Sequence, residues 1–288
     1  MRLSLRSLLA AACVLTGCRT ARETATAPVR ADCGPTIAGM EAVLKPSAFV
    51  VLGEIHGTQE APAFAARLAC HAAALGQPVR LALELPVEEQ ARIDTFVEGE
   101  AGTAGMPTDS AFWNRAVQDG RGSEAMRQLL ERVRELRHAG LSVRVVAFDP
   151  GGSDRDTTMA DQLRQARSQA RGDTFIVLVG NLHARRDMGA PWDSKLRFMT
   201  HQLLDAEPGL VSLDLANAGG SAWICRGMTP DTCGPQPLRG PAEEQPLGIT
   251  LQKSADDPDG YDGTYSVGAL HASPPAHGAA STATPAPN

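Results

Sequence analysis

Apolar residues along this chain concentrate in short stretches separated by longer amphipathic ones. Residues 49–52 (FVVL) stop at Gly53, residues 79–85 stop at Pro86, residues 141–148 stop at Asp149, and residues 175–179 (FIVLV) stop at Gly180. Short, largely apolar stretches bounded by turn formers predict strands covered on both faces. Between them, residues 62–75 predict a helix with Pro62 at its start, Phe64, Leu68 and Ala72 on one face, and Gly76 behind it. Ser123 predicts the N-cap of a second helix, whose apolar face is Met126, Leu129, Leu130, Val133 and Leu136 and which Gly140 ends. Residues 156–170 and 195–206 predict two further helices and residues 210–215 another strand. Residues 222–225, 247–251 and 264–270 predict short β segments. Residues 87–122 are less regular, with helical stretches and a glycine-rich loop at 99–105. Strands alternating with helices imply an α/β fold: a largely parallel central sheet flanked by helices, with a helical insertion after the second strand and short β segments near the C-terminus.

The two ends of the chain read differently. Residues 1–17 place Arg2 and Arg6 before an apolar run too short to span a bilayer, which predicts a signal peptide. The run closes in Leu15-Thr16-Gly17-Cys18, a lipobox-like sequence that predicts diacylglycerol attachment to the Cys18 thiol. The competing cut after Ala27 is disfavoured by Pro28. Arg19, following the cysteine in place of an acid, is compatible with the outer membrane. Residues 18–35 then form a lipidated tether, residues 36–271 the folded domain, and residues 272–288 a low-complexity tail expected to be disordered.

Composition narrows the partners. The chain carries 27 basic and 33 acidic residues, a formal charge of −6, and loss of residues 1–17 removes Arg2 and Arg6 but no acid. That balance argues against nucleic acid and favours a soluble domain tied to a membrane through its lipid. Cys33, Cys70, Cys225 and Cys233 remain after Cys13 leaves with the signal and Cys18 is acylated. An even number in an oxidising compartment predicts disulfides. Cys225 and Cys233 bracket a turn-rich segment and pair on proximity, and Cys33–Cys70 follows by elimination; free buried thiols are the alternative.

Four successive strands end in groups that carry chemistry. The first runs into Glu54 and His56, the second ends in Glu84, the third in Asp149, and the fourth runs into Asn181, His183 and Arg185. In parallel α/β sheets ligands bind outside the carboxyl ends of the strands. Charges gathered there require a cation, a proton or a ligand to offset their repulsion. The i, i+2 spacing of Glu54 and His56 points both to one face of an extended segment. There is no G-x-S-x-G elbow, Walker loop, G-x-G-x-x-G or H-E-x-x-H. The repertoire is imidazole and carboxylate, suited to a general base or to a divalent ion held by Glu54, His56 and His183. The other histidines fall on helical or tail segments.

The segments GEIHGTQE, ALELP, AFDP and GNLHARRDMGAP, in this order and spacing, resemble the superfamily that joins ChaN-type haem-binding lipoproteins, erythromycin esterase-like hydrolases and Tiki-type proteases. The resemblance spans residues 49–193 and fades into Tyr261-Asp262 and Ala272-Ser273-Pro274. Its esterase branch implies hydrolysis of a small molecule, with His56 as base, Glu54 and Glu84 polarising it, and His183 assisting the oxyanion or leaving group. Asn181, Arg185, Asp149 and Glu60 would contact the ligand. Its ChaN branch implies instead a haem- or iron-binding uptake lipoprotein. The cofactor is thus left open between none, a divalent metal and haem.

Overall fold

In the computed structural model, residues 31–99, 107–240, 245–252 and 260–276 are described. The signal peptide, Cys18 and most of the tether lie outside them. The first half of the domain runs α1 (Met40–Val43), β1 (Phe49–Glu54), α2 (Glu60–Ala74), β2 (Val79–Pro86), α3 (Gln90–Glu98) and α4 (Glu124–His138). It continues through β3 (Val143–Asp149), α5 (Arg155–Gln169), β4 (Thr174–Gly180), α6 (Asn181–Ala184), a hairpin of β5 (Met188–Ala190) and β6 (Asp193–Arg197), and α7 (Met199–Leu203). The last third holds β7 (Val211–Ala216), a hairpin of β8 (Gly220–Cys225) and β9 (Cys233–Leu238), then β10 (Gly248–Leu251) and β11 (Gly263–Ser266).

Seven strands make one sheet in the order β10-β11-β7-β1-β4-β2-β3, parallel throughout except between β10 and β11. The α/β expectation is borne out. β1 and β4 lie at its centre, and alternate residues feed opposite cores. Val50, Leu52, Ile176 and Leu178 pack with α2 and α4, whereas Phe49, Val51, Phe175 and Val177 pack with α5 and α7. Double coverage is why these strands read as unbroken apolar runs. β3 is an edge strand, and the Gln90 side chain covers part of it, accepting from the Ala147 N–H at 2.7 Å and donating to the Val145 carbonyl at 3.1 Å. An amide side chain thus stands in for a missing neighbour strand. Ser123 caps α4 as expected, accepting from the Met126 N–H.

Three expectations change. The helix over 195–206 forms only as α7, because residues 195–197 pair back across a turn at Pro191-Trp192, with Met188 opposite Arg197 and Ala190 opposite Asp193. Residues 272–276 belong to the fold: Ala272 bridges Thr58, Pro275 bridges Ser123, and buried Ser273 accepts from the Ala125 N–H at 2.8 Å. At the other end, residues 31–35 are docked, since Cys33 is bonded to Cys70 and the Pro35 carbonyl accepts from Arg67 at 2.8 Å. Both expected disulfides, Cys33–Cys70 and Cys225–Cys233, are present. Among the described residues, no helix is long and apolar enough to cross a membrane.

Candidate active site

The carboxyl edge of β1, β2 and β4 opens onto a cavity of about 370 Å³, lined by Glu54, His56, Glu84, Arg121, Arg155 and His183 among others. β1 delivers Glu54 at its last residue, and two residues later His56 Nδ1 stands 3.0 Å from Glu54 Oε1. On the other side of the ring, Nε2 faces Glu84 Oε2 at 3.4 Å. Glu84 comes from the end of β2, is 2% exposed, and also accepts the Gly180 N–H at 2.7 Å. Gly180 has a steric role here. A Cβ at that position would lie 3.0 Å from His56 Nε2, so a side chain there would crowd the imidazole. Beneath Glu54, the buried Tyr265 hydroxyl donates to the Gly53 carbonyl at 2.9 Å, and burial together with the nearby Glu54 charge pushes this phenol well above its ordinary range.

An imidazole between two carboxylates is a strong base. Burial alone would disfavour its cation, but the Glu84 charge and the hydrogen bonds to Glu54 and Glu84 outweigh burial and push His56 up to about 10. For Glu84, burial raises the carboxyl, while His56 and Arg155 together hold it well below the usual range. At neutral pH the resting pair is therefore imidazolium and carboxylate.

Sequence reasoning left the offsetting cation unassigned, and the structure supplies it from arginines. Arg155, first residue of α5, donates through Nε to Asp149 Oδ1 at 2.9 Å and through Nη2 to Asp149 Oδ2 at 2.8 Å and to Glu84 Oε1. Its Nη1 meets His183 Nε2 at 3.2 Å. His183 Nδ1 is 2.7 Å from Asp156 Oδ1, which also accepts the Met199 N–H. Only the tautomer that donates from Nδ1 and accepts at Nε2 satisfies both partners of His183. Arg121 enters from the loop before α4, donating to Asp149 Oδ2 at 2.7 Å and to Asp119. Burial opposes ionisation of Asp119, but Arg121 and Arg115 hold its carboxyl down to about 2.

Of the expected site residues, Glu54, His56, Glu84, Asn181 and His183 line the cavity, and Asp149 anchors the two arginines beside it. Two do not belong. Glu60 faces away to His271, accepting from its backbone N–H at 3.0 Å and meeting its Nδ1 at 2.8 Å at the start of α2. Arg185 packs over the Phe198 ring, because α6 turns it from the cavity while Asn181 and His183 face it. The expected ligand set of Glu54, His56 and His183 does not fit a metal ion. His56 Nδ1 is held by Glu54, and His183 has Nδ1 on Asp156 and Nε2 on a guanidinium, which leaves His183 no nitrogen for an ion. Among the described residues, no group of three or more His, Cys, Asp or Glu could hold a metal ion. Haem fits no better: the cavity walls are charged, and the tyrosines are buried, Tyr261 donating to the Asn181 carbonyl and Tyr265 to that of Gly53. Arg155 carried a signal that could have exposed it. A cation in the first turn of a helix opposes the helix dipole, so its presence calls for a local anion.

No protein-family model matches the chain, and no curated protein matches it in sequence. Among solved structures it is similar to a mutant erythromycin esterase EreC in its open conformation, with a TM-score of 0.60 at 10% identity over 80% of this chain and 92% of that one. It is also similar to a succinoglycan biosynthesis protein, with a TM-score of 0.59 at 8% identity over 81% of this chain and 91% of that one. At these identities the likeness is one of fold, and the fold is erythromycin esterase-like.

Proposed function

We propose that this chain is a hydrolase that cleaves a carboxylic ester or related acyl bond of a small molecule, with His56 as the base that activates water. The observation that carries this reading is the imidazole clamped between Glu54 and Glu84 at the mouth of a cavity on the carboxyl edge of the sheet. Glu54 fixes the ring through Nδ1, so Nε2 is the nitrogen that works on the cavity side. When the ring is neutral, Nε2 takes a proton from water as the water oxygen bonds to the acyl carbon. The bond from that carbon to the leaving oxygen then breaks, and the imidazolium returns the proton to the departing alkoxide, giving acid and alcohol. Glu84 stabilises the imidazolium formed, while Arg155 and Arg121 keep Glu84 and Asp149 ionised. The erythromycin esterase-like fold supports a small-molecule substrate.

A screen of purified protein against activated esters and peptides tests the reading. Turnover should appear with an ester, and His56→Ala should lower kcat by about 10²–10⁴, the usual share of a general base. A His56→Ala protein as active as the parent contradicts the assignment. We propose further that the protein works in the cell envelope, held to the outer membrane by acyl chains on Cys18. The Leu15-Thr16-Gly17-Cys18 sequence and the disulfide-bonded domain support this placement.

A further inference from the structure

We propose that Asn181 is a further catalytic residue, whose side-chain amide donates to the acyl oxygen as that oxygen takes on negative charge. The role presupposes the hydrolysis proposed above, which lacks a donor for that oxygen. When water adds to the acyl carbon, one bonding pair of the carbonyl moves onto its oxygen, and the pair returns as the leaving oxygen departs. Between those events the oxygen is an anion. An N–H already aimed at it stabilises that charge far better than water that must first reorient.

Most donors on the cavity wall are already spent. Every nitrogen of the Arg155 guanidinium donates, to Asp149, Glu84 or His183, and every nitrogen of the Arg121 guanidinium donates to Asp119 or Asp149. The Gly180 N–H goes to Glu84. His183, the residue expected to assist the oxyanion, gives its N–H to Asp156 and accepts at its other nitrogen. Asn181 differs. It is half-buried and lines the cavity, yet its side chain makes no hydrogen bond among the described residues. Its backbone, by contrast, is held on three sides. The preceding Gly180 pairs with Glu54 at the end of β1 and lies against His56, where a Cβ would stand 3.0 Å from Nε2. Tyr261 donates to the Asn181 carbonyl at 2.7 Å. Gly53 packs beneath it so closely that a Cβ there would lie 3.1 Å from Asn181 Cα and 3.3 Å from its Cβ. A fixed backbone carrying an unspent amide, next to the residue that abuts the working nitrogen of His56, is a preorganised donor.

The experiment measures kcat and KM of the parent, Asn181→Ala and Asn181→Asp on an ester that the screen finds to be turned over. It also measures the affinity of each protein for a phosphonate analogue of that ester, whose charged tetrahedral centre copies the intermediate. Asn181→Ala should lower kcat by about 10²–10³ and leave KM within about twofold, because the bond forms only once charge has developed. Binding of the phosphonate should weaken by a similar factor. Asn181→Asp keeps the shape, lacks the N–H and adds a negative charge, so its kcat should fall at least as far. Both variants should fold, since this side chain holds no other residue; should Asn181→Ala fail to fold, Asn181→Asp decides. A parent without ester turnover overturns the hydrolase reading and the donor with it. Turnover in the parent that the variants keep within about threefold overturns the donor alone. So does a raised KM at unchanged kcat, which would make Asn181 an ordinary substrate contact.

Discussion

His56 and Arg155 are the two residues on which the site's electrostatics turn. His56 is raised above its ordinary 6.5 to about 10, so its contribution to stability is complete below pH 6.5 and is lost as the pH climbs through about 10. Glu84 is lowered, so its contribution is present above its ordinary value and fades as the pH falls. Arg155 holds two buried carboxylates at once. Arg155→Met removes one guanidinium from each, leaving Arg121 on Asp149 and His56 on Glu84, and should destabilise the protein by about 1–3 kcal/mol, read as a lower urea midpoint. Arg155→Lys should cost less but still lose stability, since an ammonium cannot reproduce the planar two-pronged contact with Asp149. An unchanged midpoint in Arg155→Met would remove the arginine from the account. At this scale the sequence disclosed what strand ends disclose: Glu54, Glu84 and His183 sit where an apolar run stops. Arg121 and Arg155 come from a loop and a helix start, where no periodicity marks them.

Among the elements, the 115–122 loop decides whether Arg121 reaches Asp149, and the β8–β9 hairpin holds that loop in place. The Gln118 carbonyl accepts from Trp223 Nε1 at 3.1 Å, and the Trp223 N–H reaches the Gly57 carbonyl at 2.9 Å. Gly120 sits at φ +93°, where a Cβ would lie 2.4 Å from the Gly57 nitrogen, one residue from His56. Gly120→Ala should therefore push the loop off the site and lower kcat about 10²-fold while the far-UV spectrum is unchanged, because misplacing groups near the chemistry costs rate more than fold. Wild-type turnover in Gly120→Ala would show that the loop does not position the site. The elements that escaped prediction share a cause. β9 carries Pro235 and Pro237, residues that disfavour a strand, yet two prolines two residues apart put both missing N–H groups on one side of the strand, leaving the other side for β8. Residues 195–197 fall within the helix expected over 195–206, and pairing of Arg197 with Met188 and of Asp193 with Ala190 makes 193–197 a strand.

For the whole molecule, the order β7-β1-β4-β2-β3 brings residues far apart in the chain to one edge. The fold was legible because doubly covered strands must be apolar and the helices between them amphipathic. The cavity was legible only through the rule that places ligands at strand ends. One disulfide joins distant parts, locking Cys33 of the N-terminal segment to Cys70 of α2, and the other closes the β8–β9 hairpin. If Cys18 carries the lipid, Cys18→Ala should leave the protein in the soluble envelope fraction with its disulfides intact, and its recovery in membranes with the signal removed would contradict anchoring by that route. The central claim is that a carboxylate-clamped His56 is the base, and the dependence of kcat/KM on pH for an ester substrate tests it most directly, in the parent and in Glu84→Gln. Activity in the parent should rise with pH along a single limb toward about 10, the value at which the clamped imidazole loses its proton. Removing the Glu84 charge should move that limb to lower pH; a limb that stays in place, or a parent profile flat across this range, would contradict the account.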